Sequence, residues 1–365
     1  MHAAGWQGNA VIGSTLSQIR HHWPDVSLGV VGLGLIALVC GLILAELALG
    51  PVAIAPDRVL AALFGNGDRV EDAILWQIRV PRTLLGIAVG AVLALSGCAL
   101  QGLLRNPLAE PGLIGVTAGA SLGAVTMIVL GGVLLPTITP VLAHLMTSIA
   151  AFVGASVVIA LLFGIVSVTR SSGAVTLILA GVAINAIVTA FIGVLIYISD
   201  DQQLRDLTFW TMGALGSADT AMITVVVAMS VAMVPVFLAR ARALDLLQIG
   251  ERAAFHAGLD VDRTRLWIAL ATAIAVGAVT AAAGPIGFIG LVAPHIARLM
   301  VGPRHAILMP VAALVGIALI LAADLGVRLA VPPQEPPIGL ATSIIGGPFF
   351  LWLLLRQISR GRLFA

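Results

Sequence analysis

The sequence predicts an all-α polytopic membrane protein, with ten transmembrane helices joined by short turns and a few interfacial helices. Three observations predict it. Of the 365 residues, 60% are hydrophobic and only 10% charged, and the mean hydropathy of +1.11 lies outside the range of soluble domains. Uncharged runs recur at the length a bilayer requires, about 20 apolar residues. Between them stand turn residues (Pro, Gly, Asn, Asp and arginine) in stretches too short to fold as domains.

Residues 1–26 form a polar tail carrying Arg20, His21 and His22. Residues 27–45 follow as the first span, too long for the apolar core of a signal peptide. Residues 50–77 are a polar connection in which Pro51, Pro56 and Gly65-Asn66-Gly67 predict turns around a short helix. The second span, 83–104, begins beside Arg79-Val80-Pro81-Arg82 and ends at Arg105; residues 106–112 then read as a tight turn on one membrane face. From Pro111 to Thr169 there is no charge apart from a protonated His144, and Gly131, Gly132, Pro136 and Pro140 divide the stretch into spans three and four. Arg170 to Gly173 is the next turn, and span five runs from 174 to 198. Residues 204–216, with Arg205, Asp206 and Trp210, suit an interfacial helix better than a span. Span six covers 220–239, and 241–265 is a charged loop. Span seven begins near Leu266, and Gly284-Pro285 separates it from span eight. Span nine follows Gly302-Pro303 and ends near Ala323. A Pro-rich loop from Arg328 to Pro337 leads to span ten at 338–355, and 357–365 form a short tail. Residues 27–356 therefore read as one membrane domain.

Ten spans place both termini on one side. With that side inside, thirteen arginines fall inside and only Arg58, Arg69, Arg79, Arg82, Arg205 and Arg328 fall outside, a positive-inside bias. Both tails and the 241–265 loop are accordingly expected in the cytoplasm.

Composition also excludes chemistry. Every basic residue is arginine, so neither a P-loop lysine nor a Schiff-base lysine exists, and any ATP-driven step belongs to another polypeptide. Cys40 and Cys98 sit in apolar runs, and no metal-ligand spacing occurs. Clustered His, Asp or Glu near one face is lacking, so no catalytic residue is assigned. Glu46 and Asp324 lie near span ends, where they are expected to reach water, and no mid-span acid or base is left to bind a coupling ion. That counts against a secondary carrier. The patterns Gly86-x-x-x-Gly90, Gly115-x-x-x-Gly119 and Gly119-x-x-x-Gly123 read as close helix packing, as does Leu95-Ser96-Gly97. Pro111-Gly112 and Pro285 to Gly290 echo one another, a weak sign of an internal repeat. Residues 247–259 read as a short helix stopped by Gly258, either a solvated connector or an element that seats in a soluble partner.

Several of these stretches together resemble the membrane permeases of ABC importers for iron-siderophores, haem and vitamin B12. They are Arg79-Val80-Pro81-Arg82-Thr83, Leu95-Ser96-Gly97, Gln101-Gly102, Arg105 to Gly112, Leu179 to Asn185, Gly284 to His295, Ala323-Asp324 and Gly346 to Phe350. The resemblance covers about residues 28–356. It implies a ten-span subunit of the bacterial inner membrane that pairs with a second copy of itself, in contact with lipid and with no nucleic acid. It also implies two ATP-binding subunits, which hold ATP and magnesium, while this chain binds no cofactor or metal. A periplasmic binding protein delivers the substrate. Position by position, Arg79, Arg82 and Arg328 match arginines that receive acidic residues of that protein; the alternative is interfacial anchoring by snorkelling. Gly250, Glu251, Arg252, Ala253, Ala254, His256 and Gly258 match the element that couples to the ATPase. Asp200 to Trp210 resembles haem permeases, which makes haem the expected cargo, ahead of siderophores and vitamin B12. Arg205 and Asn185 are the candidate substrate-path residues, although Arg205 is equally a helix-end arginine answered by Asp201 or Asp206. No pair of histidines spaced to ligate haem is evident.

Overall fold

A run of apolar residues in a bilayer has no water to satisfy its backbone, so it closes its hydrogen bonds within a helix. The computed structural model describes residues 28–359, except 138, 170–173, 217–219 and 333–334. The tail expected at 1–26, the turn from Arg170 to Gly173 and residues 360–365 of the second tail lie outside the described residues. Within them the helices are, in order, α1 (Leu28–Ala48), α2 (Pro56–Leu63), α3 (Arg69–Ile74), α4 (Val80–Leu104), α5 (Val116–Leu134), α6 (Pro140–Thr169), α7 (Ala174–Ile198) and α8 (Asp201–Met212). Then come α9 (Thr220–Ala239), α10 (Ala241–Ile249), α11 (Glu251–His256), α12 (Val261–Ala283), α13 (Ile289–Val301), α14 (His305–Ala330) and α15 (Ile338–Ser359). A π-helical turn, Leu75–Arg79, joins α3 to α4 without a break, and a 3₁₀ turn, Pro111–Ile114, precedes α5.

Among the described residues, eight helices are long and apolar enough to cross a membrane. The expected spans eight and ten correspond to shorter apolar helices, Ile289–Val301 and Ile338–Trp352. Backbone geometry shortens α13. Gly284, at φ 70°, ends α12, and Phe288, at φ 68°, opens α13, so 284–288 are not helical. The 13 residues of α13 rise about 20 Å, less than the roughly 30 Å of hydrocarbon. Three other boundaries differ from expectation. The second span is helical from Arg69 because the π turn keeps the chain winding. The ninth runs on to Ala330, which brings Asp324 and Arg328 into the helix. The helix expected over 247–259 is two, because Gly250 adopts φ 128° and ψ 149° between α10 and α11. Gly258, at φ 85°, stops α11 as expected.

The helix containing α4 and the helix α12 are the buried centre. In their most apolar windows 83% and 78% of residues are buried, against 11% for α1. Buried on all sides, they show the uniform apolar pattern of core helices rather than a one-sided stripe. Small residues let them approach their neighbours. A Cβ added to Gly90 would stand 2.6 Å from the Gly316 carbonyl oxygen, and one on Gly316 would stand 2.3 Å from that of Gly90, so α4 and α14 cross backbone to backbone. Gly119 of α5 and Gly154 of α6 do the same. Gly97 packs against the Gly290 carbonyl, which is the role read for Leu95-Ser96-Gly97.

The turn after α4 does not lie flat on one face. Arg105 takes a left-handed conformation, φ 50°, and the chain folds back along α4. Gly290 lies against both Pro111 and the Leu93–Gly97 level of α4, so the turn re-enters the bundle by nearly two helical turns. The two echoing Pro/Gly stretches meet there. Such irregular backbone is tolerated at that depth because protein surrounds it.

Candidate functional site

Helices α4 and α14, of 25 and 26 residues, run antiparallel and carry a charged cluster at each end. At the first end, Asp324 and Arg328 are one helical turn apart and so share a face of α14. That face meets the start of α4 and the end of α1. Arg82 forms a two-pronged ion pair: its Nε donates to Asp324 Oδ2 and its Nη2 to Asp324 Oδ1, both at 2.8 Å. Its Nη1 donates to the Glu335 carboxylate. Arg328 donates to the Glu46 carboxylate, with its Nε 3.6 Å from Asp324 Oδ2. Arg79, at the close of the π turn, donates to the carbonyls of Leu47 (2.5 Å), Ala48 (3.1 Å) and Val52, and so caps the exposed carbonyls of α1.

The structure thus brings Arg79, Arg82 and Arg328 together, but inside the fold, at 4%, 6% and 4% exposure. Three carboxylates balance three guanidiniums. Glu46 and Asp324, expected to reach water, are each 1% exposed. The helices run past the expected span ends, to Ala48 and Ala330, so both acids lie within helix against Arg82 and Arg328, and a carboxylate is stable there only because it is paired.

At the second end, α10 and α11 lie beside the end of α4 and the start of α12. The Glu251 carboxylate accepts from Arg265 and stands 3.9 Å from Arg105, while Arg265 also reaches Asp262 at 3.3 Å. Arg252, Ala253, His256 and Gly258 face outward, whereas Ala254 is fully buried. Ile249 and Phe255 remain 75% and 69% exposed. Asp245 of α10 accepts both the backbone N–H of His305 (2.8 Å) and its ring Nδ1 (2.7 Å), which ties α10 to the start of α14. Gly102 leaves room for that ring, since a Cβ there would lie 2.6 Å from His305 Nε2. Burial holds the Glu110 carboxyl, in the turn after α4, above its ordinary pKa.

The two candidate path residues are not brought together. Asn185 Nδ2 donates to the Gly112 carbonyl at 3.0 Å and pins the re-entrant turn to α7. Arg205 is exposed on α8, where it donates to Gln202 Oε1 at 2.7 Å rather than pairing with Asp201 or Asp206. Asp200 and Gln203 cap that helix reciprocally. Residues 107–108 of the turn form a cleft with Leu291 and His295 of α13 and Phe349 of α15. There His295 meets Phe349 edge-on, with ring centroids 6.3 Å apart. Sequence reasoning missed Glu335, Asp245 and His305. The four-residue spacing of Asp324 and Arg328 was a legible signal for a buried pair, once both are placed in one helix.

The FecCD transport family profile matches residues 36–356. The chain is 44% identical over 284 residues to the hemin transport system permease protein HmuU of Yersinia pestis, covering 78% of this chain and 84% of that one. It is 40% identical over 282 residues to the cobalamin import system permease protein BtuC of Halobacterium salinarum, covering 77% and 73%. The vitamin B12 import system permease protein BtuC of Klebsiella pneumoniae is 38% identical over 328 residues, covering 90% and 94%. A solved structure of an inward-facing metal-chelate type ABC transporter matches with a TM-score of 0.76 at 28% identity, over 90% of this chain and 99% of that one. The chain belongs to the FecCD transport family and is a multi-pass membrane permease of the ABC importer type.

Proposed function

We propose that this permease is the membrane subunit of an ATP-driven, binding-protein-dependent importer of haem in a bacterial inner membrane. A second copy completes the path, and alternating access at the interface of the pair moves the cargo. Two ATP-binding subunits seat on the α10–α11 end, with both termini on that cytoplasmic side. A periplasmic binding protein docks at the end where Arg79, Arg82 and Arg328 gather. The observation that carries this reading is the opposition of the two clusters. Exposed Ile249 and Phe255 offer a partner an apolar surface at one end of α4 and α14, and the arginines stand at the other. Ile344, Ile345 and Trp352 of α15 stay exposed, an apolar face that lipid or a second copy covers.

Identity to the hemin permease, 44%, favours haem. Vitamin B12 is the second reading, because the match to the Klebsiella pneumoniae BtuC extends over 90% of the chain. Reconstituting the permease in lipid with the ATPase and binding protein encoded beside it tests the choice. Haem-loaded binding protein should stimulate ATP hydrolysis more than protein loaded with a ferric siderophore or vitamin B12. Strongest stimulation by either of the others would reassign the cargo.

A further inference from the structure

The three arginines are not equivalent. Arg79 directs its donors to backbone carbonyls of 47, 48 and 52, and Arg328 is held by Glu46, which is buried. Arg82 has an inner half and an outer half. Nε and Nη2 lie in the fork with Asp324, whose side chain is 2% exposed, while Nη1 meets Glu335, whose side chain is 42% exposed on the Pro-rich loop before α15. Gly216 borders the same donor; a Cβ there would stand 3.2 Å from Arg82 Nη1 and 3.5 Å from Glu335 Oε2.

We infer that Glu335 holds the place of a partner's carboxylate: an acidic side chain of the docking protein exchanges for Glu335 at Arg82 Nη1. This rests on the docking reading above. The exchange is favourable ground physically. Substituting one carboxylate for another leaves no buried charge unpaired at the start or the end, whereas attack on the Asp324 fork would. A half-exposed ion pair contributes little, so Glu335 is the member of the cluster that yields. What sets Arg82 apart is its acid partner: Glu335 is 42% exposed at the side chain, whereas Glu46 beside Arg328 is buried and Arg79 is held by backbone carbonyls.

Titrating the lipid-held complex with the binding protein encoded beside the permease tests this, using Glu335→Gln and, as a control of equal charge change on an exposed residue of the same end, Asp68→Asn. Glu335→Gln should tighten docking by about two- to fivefold at low salt, with the gain disappearing at high salt and Asp68→Asn leaving affinity unchanged. Salt-dependent docking that Glu335→Gln leaves unchanged, weakens, or alters no more than Asp68→Asn does overturns the exchange while the docking reading stands. Docking with no salt dependence at all overturns the docking reading itself.

Discussion

Asp324 shows how much one side chain holds at this bundle's arginine end. It accepts two hydrogen bonds from Arg82 and stands 3.6 Å from Arg328, at 1% exposure. Removing its charge breaks the buried fork, leaving Arg82 only the half-exposed Glu335 and Arg328 only Glu46, and breaking a buried pair costs about 3–5 kcal/mol. Asp324→Asn should therefore lower unfolding stability in detergent by that order. Replacing both partners with apolar residues, Arg82→Met with Asp324→Leu, should lose clearly less, because Arg328 keeps Glu46 and the carboxylate left without its partner, Glu335, is half-exposed. A double variant as unstable as the single one would show that the pair contributes through shape rather than charge. Part of this was legible in the sequence: the arginines and both acids stood out as charges beside uncharged runs. Their burial was not, because it depends on the ends of α1 and α14 meeting the start of α4, contacts between residues far apart in the sequence.

At the scale of elements, the glycine patterns carried their message and the boundaries did not. Gly90 and Gly316 set the closest approach of α4 and α14, so Gly90→Ala should force the helices apart and lower stability by about 1–3 kcal/mol. Gly32→Ala is the matched control, since a Cβ there meets nothing within 4 Å. Equal behaviour of the two variants in thermal unfolding would contradict the packing described. The length of the uncharged runs located nearly every span, because an apolar run of bilayer length leaves few alternatives. It failed at α13 and at the turn after α4. In both places the chain abandons regular helix inside the bundle, at Gly284, Phe288 and Arg105, and composition carries no record of local dihedral angles. The turn's role became visible only when Pro111, Gly290 and Asn185 were seen to meet. Its second half packs α4, α7 and α13 together, while Pro107 and Leu108 stay exposed.

The described residues are organised around the buried helices α4 and α12, with α14 antiparallel to α4 and a charged cluster at each end of that pair, while α1 is the most exposed of the long helices. The sequence has no lysine for a phosphate-binding loop, and the charged 241–265 stretch is where the proposed ATPase would seat. Which residues of that stretch face outward was not legible, since Gly250 rotates α11 relative to α10. Ala254 turns inward, with Ala253 and Phe255 on the open side. The central claim is that an ATPase drives this permease through α11, and cysteine cross-linking to the ATPase subunit tests it most directly. Cysteine at Ala253 or Phe255 should give an adduct whose yield differs between nucleotide-free and ATP-trapped complexes, while cysteine at Ala254 should give little. No adduct from either exposed position in any nucleotide state would contradict the account.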